Sequence, residues 1–172
     1  MRSKIIDTNV PLTAAGLNSD ASKQCQLSCV AVLKAVLAGQ VKVVIDAKRD
    51  VLREYNRRIH PDFRGSLAEQ FMLYMLQYHT VAGRVHCLEL QQNESGQFVD
   101  YPDNSDTWST RVRRCERFDP DDKKWVALAV RFKKEAGIDA PIVNAADRCW
   151  LAFESQLEAA GVKLEVLCRE ER

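Results

Sequence analysis

The chain has 172 residues, a formal net charge of +1, 46% hydrophobic and 28% charged residues, which supports one ordinary core and excludes a disordered or fibrous chain. A near-neutral balance excludes a broadly basic nucleic-acid coat while leaving room for a local basic stripe. The longest strongly apolar windows, Val30 to Ala38 and Phe71 to Leu76, are too short to cross a bilayer, and only Ile5 and Ile6 separate the basic start from Asp7, so a cytosolic protein without a membrane span is expected.

Short β-branched runs alternate with amphipathic stretches along the whole chain, which predicts an α/β sandwich with a mainly parallel sheet, residues 1–172 forming a single domain. Lys4-Ile5-Ile6 reads as a first strand ending at Asp7, followed by a loop through Pro11 and Gly16. Residues 22–38 place Leu27, Val30, Leu33, Val36 and Leu37 on one helical stripe, and Gly39 supplies the stop. Val41 to Ile45 reads as a second strand, and residues 48–59 as a helix that turns Val51, Leu52 and Tyr55 inward and carries Glu54.

Ser66-Leu67-Ala68-Glu69 has the form of a capping box ahead of the apolar run Phe71 to Tyr78. Arg84 to Leu90 suits a strand, residues 91–106 an exposed loop, and residues 107–118 a short basic helix or irregular segment. Asp119-Pro120-Asp121-Asp122 opens a helix with Trp125, Leu128, Ala129 and Phe132 on one face and Gly137 as its stop. Pro141 to Val143 predicts a buried strand, Asp147 the start of a helix through Trp150, Leu151, Phe153 and Leu157 to Gly161, and Lys163 to Cys168 a last strand.

The six cysteines, at 25, 29, 87, 115, 149 and 168, are read as buried free thiols, because most lie in apolar contexts of a chain expected in the cytosol. Cys25 and Cys29 have a spacing that suits half of a zinc site, but no second Cys/His pair with ligand spacing accompanies them.

The informative feature is positional. Asp7 follows the first strand, and Asp147 follows the strand at 141–143 after a short turn; in open parallel sheets the crevice outside the carboxyl ends of the strands is where ligands bind. Asp122 in the first turn of its helix and Glu54 in the helix after the second strand can face the same crevice. Four carboxylates brought together resist ionisation unless a cation such as Mg²⁺ or Mn²⁺ neutralises them, and such a cation activates water against a phosphodiester. Taken singly, each acid also has a plainer role: an N-cap for Asp122 or Asp147, a solvated helix face beside Arg53, Arg57 and Arg58 for Glu54, a turn for Asp7.

Ile5-Ile6-Asp7-Thr8-Asn9-Val10 resembles the opening motif of the PIN-domain family, and Asp7 matches its first metal-binding acid. Val43 to Asp46 through Glu54-Tyr55 is similar to the second family block, Asp119 to Ala129 to the third, in a register that selects Asp122, and Pro141 to Asp147 to the last. Asn144 stands where Thr or Ser is common, the spacer to Asp147 is slightly longer than usual, and Cys149 takes a place where another acid often occurs. Residues 60–118 form an enlarged middle segment that the short bacterial toxins of the family lack.

The resemblance implies a three-layer α/β/α sandwich, a Mg²⁺ or Mn²⁺ site at Asp7, Glu54, Asp122 and Asp147, and hydrolysis of single-stranded RNA. Thr8, Asn9 and Asn144 are then expected to support the site through hydrogen bonds. Many relatives are toxins held by an antitoxin protein, and homodimers are common among them. Arg111, Arg113, Arg114 and Arg117 with Lys123 and Lys124 form the densest basic stretch and run into the Asp122 block, an expected grip on the RNA backbone. Phe98, Tyr101 and Trp108 are read either as stacking platforms for bases or as pins that hold their loop. The absence of a Gly-rich phosphate loop counts against a nucleotide-binding switch or dehydrogenase. Two alternatives stand beside the nuclease: a catalytically degenerate domain that binds RNA or protein, and a phosphate-ester hydrolase of another doubly wound fold.

Overall fold

The structure is a computed structural model that describes residues 2–59, 64–102, 108–110 and 115–169. Five strands, β1 (Arg2–Ile6), β2 (Val41–Asp46), β3 (Val85–Leu88), β4 (Ile142–Asn144) and β5 (Leu164–Val166), form one parallel sheet in the order β3-β2-β1-β4-β5. Between them run α1 (Asn9–Ala14), α2 (Lys23–Leu37), α3 (Asp50–Arg58), α4 (Leu67–Tyr78), α5 (Lys123–Ala136), α6 (Arg148–Ala152) and α7 (Glu154–Ala159). Crossovers between parallel strands are right-handed, so the connections that run outward from β1 through α1–α4 and those that return through α5–α7 cover opposite faces of the sheet. This is the expected α/β/α sandwich.

Consecutive apolar residues in β1 (Ile5-Ile6), β2 (Val43 to Ile45) and β4 (Ile142-Val143) reflect a sheet covered on both faces. Ile5, Ile6, Val43, Val44, Ile45, Ile142 and Val143 are fully buried, and each such side chain contributes roughly 1.5–3 kcal/mol of transfer free energy. Helix ends follow local chemistry. The Ser22 hydroxyl accepts from Cys25 N at 3.1 Å to start α2, and the Ser66 hydroxyl accepts from Glu69 N at 3.1 Å to start α4. Gly137, at φ +68, ends α5 in the left-handed conformation that glycine adopts without penalty.

Four local expectations are corrected and one open reading is decided. The segment after Asp7 is a helix rather than a loop, because Pro11 sits in the first turn of α1, where no intrahelical partner for its missing N–H is required. On α2 the buried stripe is Cys25, Cys29, Leu33 and Val36, while Leu27 is 50% exposed. The stretch from Asp147 to Gly161 is two helices, broken at Phe153 (φ −108, ψ 10), whose buried ring is drawn edge-on against Phe118 at 5.1 Å. Part of the expected exposed loop is fastened down: Asp100 is buried and paired with Lys134 at 2.7 Å, and Tyr101 is buried against Trp108 and Phe118. For residues 107–118, left open between a basic helix and an irregular segment, Ser109 and Arg117 form an antiparallel bridge, with 107 and 111–114 outside the described residues.

The reading of all six cysteines as buried free thiols is overturned as well. Cys25 pairs with Cys168 and Cys115 with Cys149, while Cys87 is exposed. The partners lie 143 and 34 residues apart in sequence, so neither pairing is visible in local context. Among the described residues no helix is long and apolar enough to cross a membrane.

Candidate active site

Strand order reverses at β1, which has β2 on one side and β4 on the other. Neighbouring connections diverge there and leave a crevice at the carboxyl ends. The register pairs Ile6 with Val143, and Asp7 N donates to Val143 O at 3.0 Å, so Asp7 and Asn144 emerge side by side. Asn9 ties the two strand ends together, its Oδ1 accepting from Ala145 N at 2.7 Å.

Asp7 is 5% exposed, and its three hydrogen-bond partners are neutral groups. Asn9 N donates to Oδ1 at 2.9 Å, the Thr8 hydroxyl lies 3.4 Å from the same oxygen, and the Trp150 indole N–H donates to Oδ2 at 2.7 Å. Burial pushes the Asp7 carboxyl up to about 6, with Asp147 and Glu54 adding repulsion against the pull of these donors. Tyr55 lies beneath the site, its hydroxyl donating to Ile6 O, and burial with the nearby acids raises it well above the usual phenol range.

Asp122 does not do the ordinary work of an acid at a helix start. It stands at the N-cap position of α5, yet its side chain makes no capping bond; Asp119 caps the preceding 3-10 turn Pro120–Asp122, its Oδ1 accepting from Asp121 N at 2.9 Å. Burial, then the charges of Asp7, Asp119 and Asp147, push the Asp122 carboxyl up to about 8. Asp147 does cap its helix, Oδ1 accepting from Cys149 N at 2.8 Å, and Asn144 Oδ1 positions it by accepting from Asp147 N at 3.1 Å. The amide nitrogen of Asn144, a fully buried residue, has no hydrogen-bond partner among the described residues.

Glu54 is not part of a solvated face. Its side chain is 11% exposed, the Thr8 hydroxyl is 3.3 Å from Oε1, and Oε2 is ion-paired with Lys124. Arg53 pairs with Asp50 instead. Lys124, expected to grip RNA from the surface, thus turns inward, also 11% exposed. Lys124→Met is expected to destabilise the protein by at least ~2 kcal/mol in EDTA, since it strands the Glu54 charge away from water. Chemical denaturation with and without Mn²⁺ checks this, with the divalent ion expected to restore part of the loss.

Of the four acids of the sequence reading, Asp7, Asp122 and Asp147 influence one another electrostatically, Glu54 acts on Asp7, and Glu54 and Asp147 line separate cavities. Their spacing is open: among the described residues no three carboxylates have oxygens all within 4.8 Å of one another. Carboxylate oxygens are the donor type that Mg²⁺ or Mn²⁺ takes, and either ion could be held by one or two of them with several waters. Oxygens on one such ion lie no more than about 4.2 Å apart, so at most two of Asp7, Glu54, Asp122 and Asp147 could ligate it directly as placed here.

Two cavities flank the acids. One, of about 320 Å³, is lined by Arg53, Glu54, Arg57, Phe98 and Lys124, and the other, of about 450 Å³, by Asp20, Asp147, Arg148, Cys168 and Arg169. Trp150 as a donor to Asp7 and Arg53, Arg57 and Arg148 as cavity walls were not singled out for these roles from sequence. The i,i+4 spacing of Arg53 and Arg57 around Glu54 was the available signal for that pair.

Of the expected basic stripe, Arg111, Arg113 and Arg114 lie outside the described residues. Arg117 is exposed, and Lys123 lies 5.2 Å from the centre of the Tyr101 ring. Buried Tyr101 with Trp108 and Phe118 makes an aromatic cluster that pins the loop. No family model, curated protein or solved structure matches the chain, so geometry and chemistry carry the assignment of its site.

Proposed function

We propose that the protein is a Mg²⁺- or Mn²⁺-dependent endoribonuclease of the PIN-like kind, acting on single-stranded RNA in the cytosol. The observation that carries this reading is Asp122, a largely desolvated acid whose side chain caps no helix, within electrostatic reach of Asp7, Asp119 and Asp147 near the point where the strand order reverses. A bound divalent cation would supply an activated water and neutralise charge growing on the phosphate. Asp7 is held in one orientation by the Asn9 and Trp150 donors, Asn144 sets Asp147, and Thr8 stands between Asp7 and Glu54. The arginines of the flanking cavities are available to the phosphates on either side of the cut.

A second reading, a domain that binds RNA or protein without cutting, is favoured by one observation: Lys124 already neutralises Glu54. The test is incubation of the purified protein with a mixed-sequence single-stranded RNA and, separately, a small phosphomonoester, in Mn²⁺ and in EDTA. Mn²⁺-dependent cutting of RNA alone is expected. RNA binding with no cutting in either condition would favour the binding module, and preferential hydrolysis of the monoester would favour a small-substrate phosphatase.

A further inference from the structure

Away from the acids, Cys25 and Cys29 stand one turn apart on the buried stripe of α2, at 2% and 0% exposure. Cys168 reaches them from the segment after β5, and the three buried sulfurs lie within 4.8 Å of one another. Two of them, Cys25 and Cys168, form a disulfide, with Cys29 alongside. One disulfide is enough to fasten this segment to α2; a third sulfur at the same point adds nothing to that cross-link.

We propose that in the reduced protein Cys25, Cys29 and Cys168 form a thiolate site for Zn²⁺, and that the Cys25–Cys168 disulfide is the oxidised, metal-free state of the same site. Tetrahedral Zn–S bonds of about 2.3 Å require sulfurs about 3.8 Å apart, within reach of three side chains already converging here. Cys-x-x-x-Cys on one helical face is a ligand spacing of the zinc type, and Cys168 supplies the third donor that sequence spacing did not reveal. A cavity of about 280 Å³, lined by Ser22, Ser28, Cys25 and Cys168, offers room for water in the fourth position.

The donors select the ion. Thiolates exclude Mg²⁺, Mn²⁺ and Ca²⁺ and leave Zn²⁺ and Cu⁺. Three thiolates carry a net charge of −1 around Zn²⁺ but −2 around Cu⁺, and the smaller buried charge costs less.

Opening the site takes two electrons and two protons from a thiol reductant, which leaves as its own disulfide, while Cys25 and Cys168 return as thiols. Zn²⁺ then takes three thiolates and releases three protons to solvent. The metal would replace the disulfide as the clamp on the segment carrying Cys168 and Arg169, which also walls the cavity at Asp147. The site does not depend on the nuclease assignment.

The test uses the full chain, reduced with a phosphine, freed of reductant under argon and titrated with Co²⁺. A sulfur-to-cobalt charge-transfer band saturating at one ion per chain is expected, reversed by Zn²⁺, lost in Cys29→Ser and kept in Cys87→Ser. In the wild type, Zn²⁺ should protect three thiols from alkylation in the reduced protein, and the oxidised protein should develop no such band. Absence of the band in the reduced wild type, its full retention in Cys29→Ser, or an equal band in the oxidised protein would overturn the proposal. The thiol-protection count keeps it falsifiable should Cys29→Ser fail to fold.

Discussion

Asp7→Asn is expected to lower Mn²⁺-dependent cleavage of single-stranded RNA by more than about 100-fold while leaving the protein folded. Groups that merely orient metal ligands are typically worth 10–100-fold, and Asp7 would touch the cation itself. Asparagine preserves the shape of the carboxylate but removes its charge. One of the two donors that now face it, Asn9 N–H and Trp150 Nε1–H, must then confront an amide NH₂, at about 1–3 kcal/mol. Against that loss, the variant no longer buries a charge that Asp147 and Glu54 repel. Circular dichroism should match the wild type, and single-turnover cleavage should separate the two proteins. A variant that cuts as fast as wild type would remove Asp7 from the chemistry, and with it the proposed active site.

The second large effect concerns pH. Asp7 and Asp122 hold their protons more tightly in the fold than in the unfolded chain, at about 6 and about 8 against an ordinary 3.8. Their contribution to stability is therefore fully present below about pH 4 and is lost as pH rises, through about 6 for Asp7 and through about 8 for Asp122. In EDTA the thermal midpoint is expected to fall between about pH 4 and pH 9, the Asp7 part being lost by about pH 6.5 and the Asp122 part above it. For Asp7 alone the full loss is on the order of 3 kcal/mol, a shift of roughly 5–10 °C for a chain of this size.

Saturating Mg²⁺ or Mn²⁺ binds the ionised acids and should flatten the profile, and Asp122→Asn should remove its upper part without any metal. Differential scanning calorimetry across that range is the direct measurement. A flat metal-free profile in the wild type would show that the acids are not held together as the structure places them.

The architecture was legible because its signals are local. Buried parallel strands read as apolar runs such as Val43 to Ile45, helices as stripes bounded by Ser66, Gly39 and Gly137, and these patterns span only a few residues. Acids at strand ends were legible for a related reason: an α/β alternation already implies where the carboxyl ends point. Leu27 and Phe153 show the limit of that reading. Both fit a helical period, yet packing turned Leu27 to solvent and Cys25 and Cys29 to the core, and the aromatic cluster around Phe118 broke the helix at Phe153.

By itself, then, the sequence determined the α/β alternation and several helix ends and singled out four acids as candidates, since hydrophobic period, capping and strand termini are properties of short segments. Only the tertiary structure decided which acids lose water, that Trp150 holds Asp7, that Lys124 turns inward to Glu54, and that Cys168 meets Cys25 and Cys29. Each of those outcomes depends on desolvation or on contact between residues that different segments bring together, and neither is encoded in the spacing of one segment alone.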